Sequence, residues 1–452
     1  MSLNVNFPEL FLKRSQRQFG LDYERFYGAL NEEPVVSVRK NPAKPTNLWK
    51  NEEKVAWCTD GYYLSEKPAY IFDPFFHAGC FYPQEASSMF IDWILRHLEK
   101  IPQKPVVLDL CAAPGGKTTL LASYLNNEGL LVANEIIRNR SQILLENVIK
   151  WGYSNCVVTQ NSPSDFLSLK NFFDLILVDA PCSGEGMFRK EKRAIEEWSE
   201  ANAAMCAIRQ RKILENIWGS LKPDGFLIYS TCTFNPSENE EIILNFANNF
   251  NAEVIKLNPP KFFGLFSIDI AGGNGLAFYP HLAKGEGFFV SVLRKTKDNN
   301  YDTNFKREKT ATFLKSKSDF SHILNVFEDW IFIEEKNQIH AISQQFEGQL
   351  YKLKKQLNIL NYGINIGNYE QKKYAPSQAL ATNTAFCNND FFSEIDLDID
   401  FALKYLKGEI LPSLNVKKGY ILLKYKGIPL GFGKEIGLRV NNLYPTKWRI
   451  RK

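Results

Sequence analysis

Between residues 105 and 295 short apolar runs alternate with helical segments, and this alternation limits the possible folds more than any other feature of the chain. PVVLDL, LLVANE, NCVVTQ, DLILVDA and FLIYSTC are runs of strand length and character. KTTLLASYLNN, RNRSQILLENVIKWG, residues 203–221 and SENEEIILNFANNF carry helical spacing between or after them. KPDGF predicts a turn after the long helix, and GFFVSVLRK a late strand. Strands separated by helices pair in parallel through right-handed crossovers. The expected fold class is therefore α/β with a doubly wound sheet, which binds ligands beyond the carboxyl ends of its strands.

At about 150 residues per domain, a chain of 452 residues has room for roughly three. Residues 1–94 mix helical pieces over 11–30, a short-strand region over 54–70 and an aromatic-rich loop over 72–82, and PQEASSMFIDWILRHLEK reads as the helix leading into the core. Residues 95–295 form the α/β domain. Residues 296–320 are polar and Lys-rich, as in a linker, and residues 321–390 have mixed character. Residues 391–452 show short strand-like runs between glycines, at 420–425, 429–432 and 437–440, which predict a small β-rich module.

Charge is unevenly spread. Residues 401–452 hold twelve Lys/Arg and two Asp/Glu, a balance of +10, so the rest of the +5 chain carries −5. A basic module on a mildly acidic body points to a polyanion such as nucleic acid, against the alternative of a solvated basic face. No apolar run has the roughly 18 residues of a membrane span, and MSLNVNFPELFLKR lacks the pattern of a secretory signal. The expectation is a soluble cytoplasmic protein with no membrane partner. Its eight cysteines form no CxxC pair and no zinc-ligand spacing with the five histidines, so no metal is expected.

Four segments carry chemistry. In VLDLCAAPGGKTT a strand ends at Asp109 and Leu110, and a small-residue loop leads into a helix. Ala112, Ala113, Gly115 and Gly116 allow close backbone approach, and the helix start offers free N–H groups. An ATP-binding P-loop would need glycine five positions before Gly116, where Cys111 stands. What remains is a nucleoside-cofactor loop, set against a tight structural turn. Glu135, at the end of the next strand, has the position of a ribose-binding acid, or of a helix N-terminal charge. Asp179, Ala180, Pro181 and Cys182 follow the fourth strand, and Cys232 ends the fifth. Parallel neighbours lie about 4.8 Å apart, so Cys182 and Cys232 can flank one planar ring. A lone cysteine is more often a packing thiol; two at adjacent strand ends beside an aspartate favour chemistry.

These segments resemble the RNA (cytosine-C5) methyltransferases of the RsmB/RsmF–Nop–Sun superfamily. CAAPGGKT, DAPCSGEG and STCTFNPSENE occur in order at the expected strand ends, with YPQEASSM ahead of them. The similarity is strong over residues 82–294. GYILLKYKGIPLGFGK and NLYPTKWRIR are similar to the PUA-like tail of the RsmF/YebU branch, which acts on 16S ribosomal RNA. Residues 1–80 resemble that branch's N-terminal domain more weakly.

The resemblance implies a Rossmann-like sheet that uses S-adenosyl-L-methionine, with an N-terminal α+β domain and a PUA-like RNA-binding module. Cys111, Ala112, Ala113, Pro114, Gly115, Gly116 and Lys117 then hold the cofactor, and Glu135 its ribose. Asp179 matches the motif aspartate at the catalytic and cofactor edge, Cys232 the nucleophile and Cys182 the second cysteine that helps release product. Where the family carries an acid near the adenine this chain has Thr159-Gln160-Asn161, so Asn161 takes that place, or else Asp165. The implied partner is RNA, 16S rRNA or the small ribosomal subunit, met by a monomer. Rival readings are the same reaction on transfer RNA and a non-catalytic RNA-binding assembly factor. The presence of both cysteines, Lys117 and Asp179 argues against the second.

The chemistry fits these roles. A thiolate adding at carbon 6 makes carbon 5 of cytosine nucleophilic. A protonated Asp179 can donate to the N3 edge and ease addition. In the tail, Tyr420, Tyr425, Phe432, Tyr444 and Trp448 serve either base stacking or the module's core, and Arg449, Arg451 and Lys452 suit phosphates.

Overall fold

The computed structural model describes residues 6–250, 252–296, 320–324, 329–370, 373–388 and 390–451. The expected linker over residues 296–320 lies outside them except at its two ends, and so does Lys452.

Five parallel strands form the middle of the main sheet: β1 (Val106–Asp109), β2 (Leu130–Asn134), β3 (Cys156–Thr159), β4 (Phe173–Asp179) and β5 (Leu221–Thr231). Their spatial order is β3-β2-β1-β4-β5. The chain winds outward from β1 through β3, then returns to the other side of β1 as β4. That reversal opens a crevice at the carboxyl ends of β1 and β4.

The flanks are antiparallel. β6 (Phe266–Ile270), β7 (Gly273–Phe278) and β8 (Phe288–Lys295) extend the sheet in the order β5-β8-β7-β6. On the opposite edge β9 (Ile359–Tyr362), from the stretch of mixed sequence character, pairs antiparallel with β3. The turn expected at KPDGF lies inside β5. Pairing with β4 jumps from Phe173–Leu221 to Leu175–Phe226, so residues 222–225 bulge out with Asp224 at φ 63°. The preceding helix has the expected length but lies three residues earlier, Glu200–Trp218.

Alternation along the strands fills both faces. Leu108, Val132 and Ile176 pack with Ile213 and Ile217 of helix Glu200–Trp218. Val107, Leu131 and Leu175 pack with Leu121 of helix Gly116–Leu125 and Leu144 of helix Arg138–Trp151. Burial on both sides explains why these strands read as continuous apolar runs.

The N-terminal helix Glu9–Phe19 sends Phe11 into the first of these cores. A three-stranded antiparallel sheet follows, with Ser37–Lys40 between Gly61–Tyr63 and Phe81–Pro83. The C-terminal part carries a four-stranded sheet over residues 330–376 and a five-stranded one over residues 393–442. One apolar cluster joins Val38, Cys80 and Phe81 to Tyr405, Leu423 and Tyr444, so the two ends of the chain share a core. Tyr425, Phe432 and Tyr444 are buried in these C-terminal cores, while Tyr420 and Trp448 are half-buried. No helix among the described residues is long and apolar enough to cross a membrane.

Candidate active site

The crevice holds a cavity of about 340 Å³. Its wall includes Cys111, Ala112, Ala113, Pro114, Gly116 and Lys117 from the loop after β1, Asp179 from β4 and Cys232 after β5. Asp109, the last residue of β1, lies at its base and is fully buried. Thr118 donates to Asp109 Oδ2 at 2.6 Å, while Oδ1 is buried with no hydrogen-bond partner. Burial pushes the Asp109 carboxyl up to about 7, against the pull of the Thr118 hydroxyl.

The loop itself is held largely by β2 and the helix that follows it. Ala112 N–H donates to Asn134 O at 2.9 Å, Arg140 reaches Ala113 O at 2.7 Å, and Asn147 reaches Pro114 O at 2.8 Å. Gly115 sits at φ 118°, a conformation that L side chains rarely adopt, and it caps the start of helix Gly116–Leu125. Arg39 is a contact from further away, donating to Gly116 O at 3.1 Å.

Cys182 and Cys232 come together as the adjacent strand ends predict, with their sulfurs 3.2 Å apart. Cys232 N–H also donates to Cys182 Sγ at 3.3 Å. The hydrogen bond with Cys232, reinforced by burial, raises the Cys182 pKa well above an ordinary thiol value. Lys117 Nζ stands 2.9 Å from Asp179 Oδ2, and Ser230 donates to Asp179 Oδ1 at 2.8 Å. Burial works against the Lys117 charge, but Asp179 and, more weakly, Cys232 outweigh it and leave that pKa raised. Both Asp179 oxygens thus accept, the arrangement of a carboxylate, where a protonated donor was expected.

Two buried glutamates lock the cysteine loops together. Glu238 accepts from Ser183 N–H at 2.8 Å and from the Ser183 hydroxyl at 2.5 Å. That hydroxyl lies 2.9 Å from the Thr233 hydroxyl, so the residues following each cysteine are tied to each other. Glu185 accepts from Phe234 N–H at 3.2 Å and Trp198 Nε1 at 2.8 Å, and takes a bidentate pair of 2.7 Å bonds from Arg14. Gln18, one turn further along the same helix, donates to Phe234 O at 2.9 Å. The N-terminal helix thereby grips both loops.

Three expected cofactor residues, Gly115, Glu135 and Asn161, stand off the cavity wall. Glu135 is buried, accepts from Ile137 N–H at 2.9 Å and lies 3.3 Å from Arg140. Asn161 donates to Asp165 at 3.2 Å, and its amide oxygen already accepts from Asn358 N–H at 3.1 Å, next to β9. The sequence reading passed over Asp109, Glu185, Glu238 and Glu286 as site residues. The first three lie inside the quoted motifs, yet nothing in local spacing distinguishes an acid that faces a cavity from one that faces solvent.

Comparison with known proteins finds relatives along nearly the whole chain. Residues 97–294 match the family described as 16S rRNA methyltransferase RsmB/F. Residues 7–86 match the N-terminal domain of 16S rRNA methyltransferase RsmF, and residues 392–450 the methyltransferase RsmF PUA domain. The ribosomal RNA small subunit methyltransferase F of Vibrio vulnificus is 30% identical over 473 aligned residues, covering 99% of this chain and 98% of that one. Its namesake from Aeromonas hydrophila is 31% identical over 434 residues, covering 91% and 88%. A crystal structure of a methyltransferase homolog protein from Pyrococcus horikoshii superposes with a TM-score of 0.55 at 29% identity, covering 64% of this chain and 96% of that one. With the relatives aligned end to end, the chain belongs to the RsmB/F family of 16S rRNA methyltransferases.

Proposed function

We propose that this protein transfers a methyl group from S-adenosyl-L-methionine to carbon 5 of a cytosine in 16S ribosomal RNA, through a covalent adduct of Cys232 at carbon 6. The observation that carries the reading is the meeting of Cys182 and Cys232, 3.2 Å apart, with Cys232 on the cavity that the CAAPGGK loop also lines.

The residues present fit the cofactor. Asp109 Oδ1, buried and unpartnered on the cavity wall, suits a cationic amino group such as that of a methionine moiety. Cys111, Ala112, Ala113, Pro114, Gly115, Gly116 and Lys117 supply the close-approach backbone, Glu135 the ribose acceptor, and Asn161 the adenine contact. When bound, the cofactor supplies an electrophilic methyl group.

Cys232 acts as a thiolate and adds to carbon 6, which moves electron density to carbon 5. Cys182 keeps its proton and donates toward Cys232, stabilising that thiolate. Asp179 aims Lys117, and the pair offers the hydrogen bond that the N3 edge needs, in place of a protonated Asp179. Once Cys232 is bonded to carbon, the charge that held the Cys182 proton is gone. Cys182 gives that proton to water, and the thiolate so formed, or a water beside it, takes the proton from carbon 5. The carbon 5–carbon 6 double bond re-forms and Cys232 leaves as thiolate. A cytosine must reach the cavity, so a single-stranded or loosened target is required.

The reading extends to a monomer working in the cytoplasm on the small ribosomal subunit or its RNA. The test is methyl transfer from labelled cofactor to free 16S rRNA, to small-subunit particles and to transfer RNA, with bisulfite mapping of the product. Methylcytosine confined to transfer RNA, or no transfer at all, overturns it.

A further inference from the structure

Two carboxylate oxygens that belong to cavity-lining residues are buried and accept no hydrogen bond, Asp109 Oδ1 and Glu286 Oε1. A buried acceptor left without a donor costs about 1–3 kcal/mol, and more when charged. An enzyme that binds two ligands side by side has a use for two such acceptors, one for each. Asp109 lies beneath the cofactor loop. Glu286 also lines the cavity, one residue before Gly287, which packs against the loop of Cys232. A Cβ on Gly186 would stand 2.5 Å from Gly287 O and 2.9 Å from Cys232 O, so the segment that carries Glu286 abuts the nucleophile's own backbone.

The Glu286 side chain is fixed in direction. It is 2% exposed. Its Oε2 accepts from Arg189 Nε at 2.7 Å, and its own N–H donates to Glu85 at 2.9 Å. Arg189 is anchored in turn on Gly285 O at 2.7 Å and Ala29 O at 3.2 Å. Oε1 forms an ion pair with Lys190, whose Nζ is 3.9 Å away, beyond hydrogen-bonding distance. The bond to Arg189 occupies Oε2, and the longer contact with Lys190 leaves Oε1 without a hydrogen-bond donor.

Addition of a thiolate at carbon 6 does not distinguish cytosine from uracil, so the choice of base needs a separate contact. At carbon 4 cytosine presents an amino donor where uracil presents an oxygen acceptor, and a glutamate accepts from that amino group. We propose that Glu286 selects cytosine, its Oε1 accepting a hydrogen bond from the exocyclic N4 amino group of the target base. The proposal deepens the function given above and rests on Cys232 attacking an RNA pyrimidine in this cavity.

The experiment uses the full-length enzyme and two synthetic RNAs spanning the mapped position. One carries cytidine there; the other carries the pyrimidin-2-one ribonucleoside, which has hydrogen in place of the amino group. In Glu286→Gln the Arg189 guanidinium takes the amide oxygen and turns an N–H donor toward the cavity. Expected is a fall of about 10- to 100-fold in kcat/KM on the cytidine RNA and less than about threefold on the other. Equal losses on both RNAs make Glu286 a structural strut and overturn the proposal, as does no loss on either. Should that variant not fold, Glu286→Asp, which withdraws the carboxylate while keeping its charge, is expected to give the same selective loss, and equal effects again overturn it. Absence of methylation or of a Cys232 adduct with the unaltered enzyme on the cytidine RNA would instead sink the underlying reading.

Discussion

The two sides of the cavity are held by different means. On the cofactor side, the loop after β1 is fastened mostly by residues close in sequence, such as Thr118 on Asp109 nine positions away and Arg140 on Ala113 twenty-seven away. On the base side, the cysteine loops depend on distant partners. Arg14 reaches Glu185 across 171 positions, Gln18 reaches Phe234 across 216, and Arg189 meets Glu286 across 97. A phosphate- or nucleoside-type loop is a local motif that a strand–turn–helix unit can build alone. Two sulfurs at a set spacing are not local, and the N-terminal helix completes their frame.

This contrast can be broken at either side. The largest effect belongs to the cysteines. Cys232→Ala is expected to cut turnover by about 10⁴-fold or more while cofactor affinity persists, as kinetics and calorimetry would read. Cys182→Ala is expected to accumulate a covalent protein–RNA adduct on a denaturing gel. An adduct that survives in Cys232→Ala and vanishes in Cys182→Ala would exchange their roles.

Next comes the clamp. Arg14→Met leaves the wholly buried Glu185 without its ion pair. Breaking such a pair costs about 3 kcal/mol. Expected are a lower melting temperature and a kcat reduced about 10- to 100-fold, with the cofactor dissociation constant within about a factor of two. If cofactor affinity falls as far as kcat, the two sides are not separately supported.

The cofactor side answers to pH. With its carboxyl raised to about 7, Asp109 is mostly neutral at pH 6 and mostly charged at pH 8. Only the charged form pairs with a cationic amino group, so cofactor affinity is expected to rise by about tenfold over that interval. Asp109→Asn is expected to flatten the profile; a flat profile in the unaltered protein refutes the assignment. Stability of the ligand-free protein runs the other way. A buried acid with a raised pKa favours the protonated fold, so that contribution is present below the unfolded-state value and is lost as pH climbs through about 7.

The smallest effect is expected far from the cavity. Lys447 and Arg451 are exposed in the basic module. Replacing both by Gln is expected to weaken RNA binding a few-fold and to lower the salt slope by about 1.5, with cofactor binding unchanged. An unaltered slope would remove this face from the RNA contact. Point changes are the suitable tool, because removing the module would uncover Val38 and Phe81, which share its core.

Much of this was legible in the chain. Apolar runs between helical segments led to a doubly wound sheet because strands buried on both faces have no polar side to vary. The CAAPGGK turn, Asp179 and the neighbouring cysteines were readable because each follows a strand end, and parallel order brings such ends to one edge. Less was readable where partners are remote. β9 joins the sheet edge beside β3 from a stretch of mixed character, and occupies the Asn161 amide oxygen through Asn358. Asp179 was expected to donate, but its state depends on Lys117, which comes from another loop. Of the aromatics in the tail, the sequence does not separate the buried Tyr425, Phe432 and Tyr444 from the half-buried Tyr420 and Trp448.

The sequence by itself determined the order of the central strands and helices and the sheet edge on which Asp179, Cys182 and Cys232 gather, because those follow from periodicity and from what each strand end carries. Only the tertiary structure decided which carboxylates are satisfied and which are left open. Glu185 and Glu238 are consumed in bracing, whereas Asp109 and Glu286 each keep one oxygen without a donor. Whether an acid braces or binds depends on the donors that folding brings within about 3 Å of it, and no spacing along a chain encodes that distance.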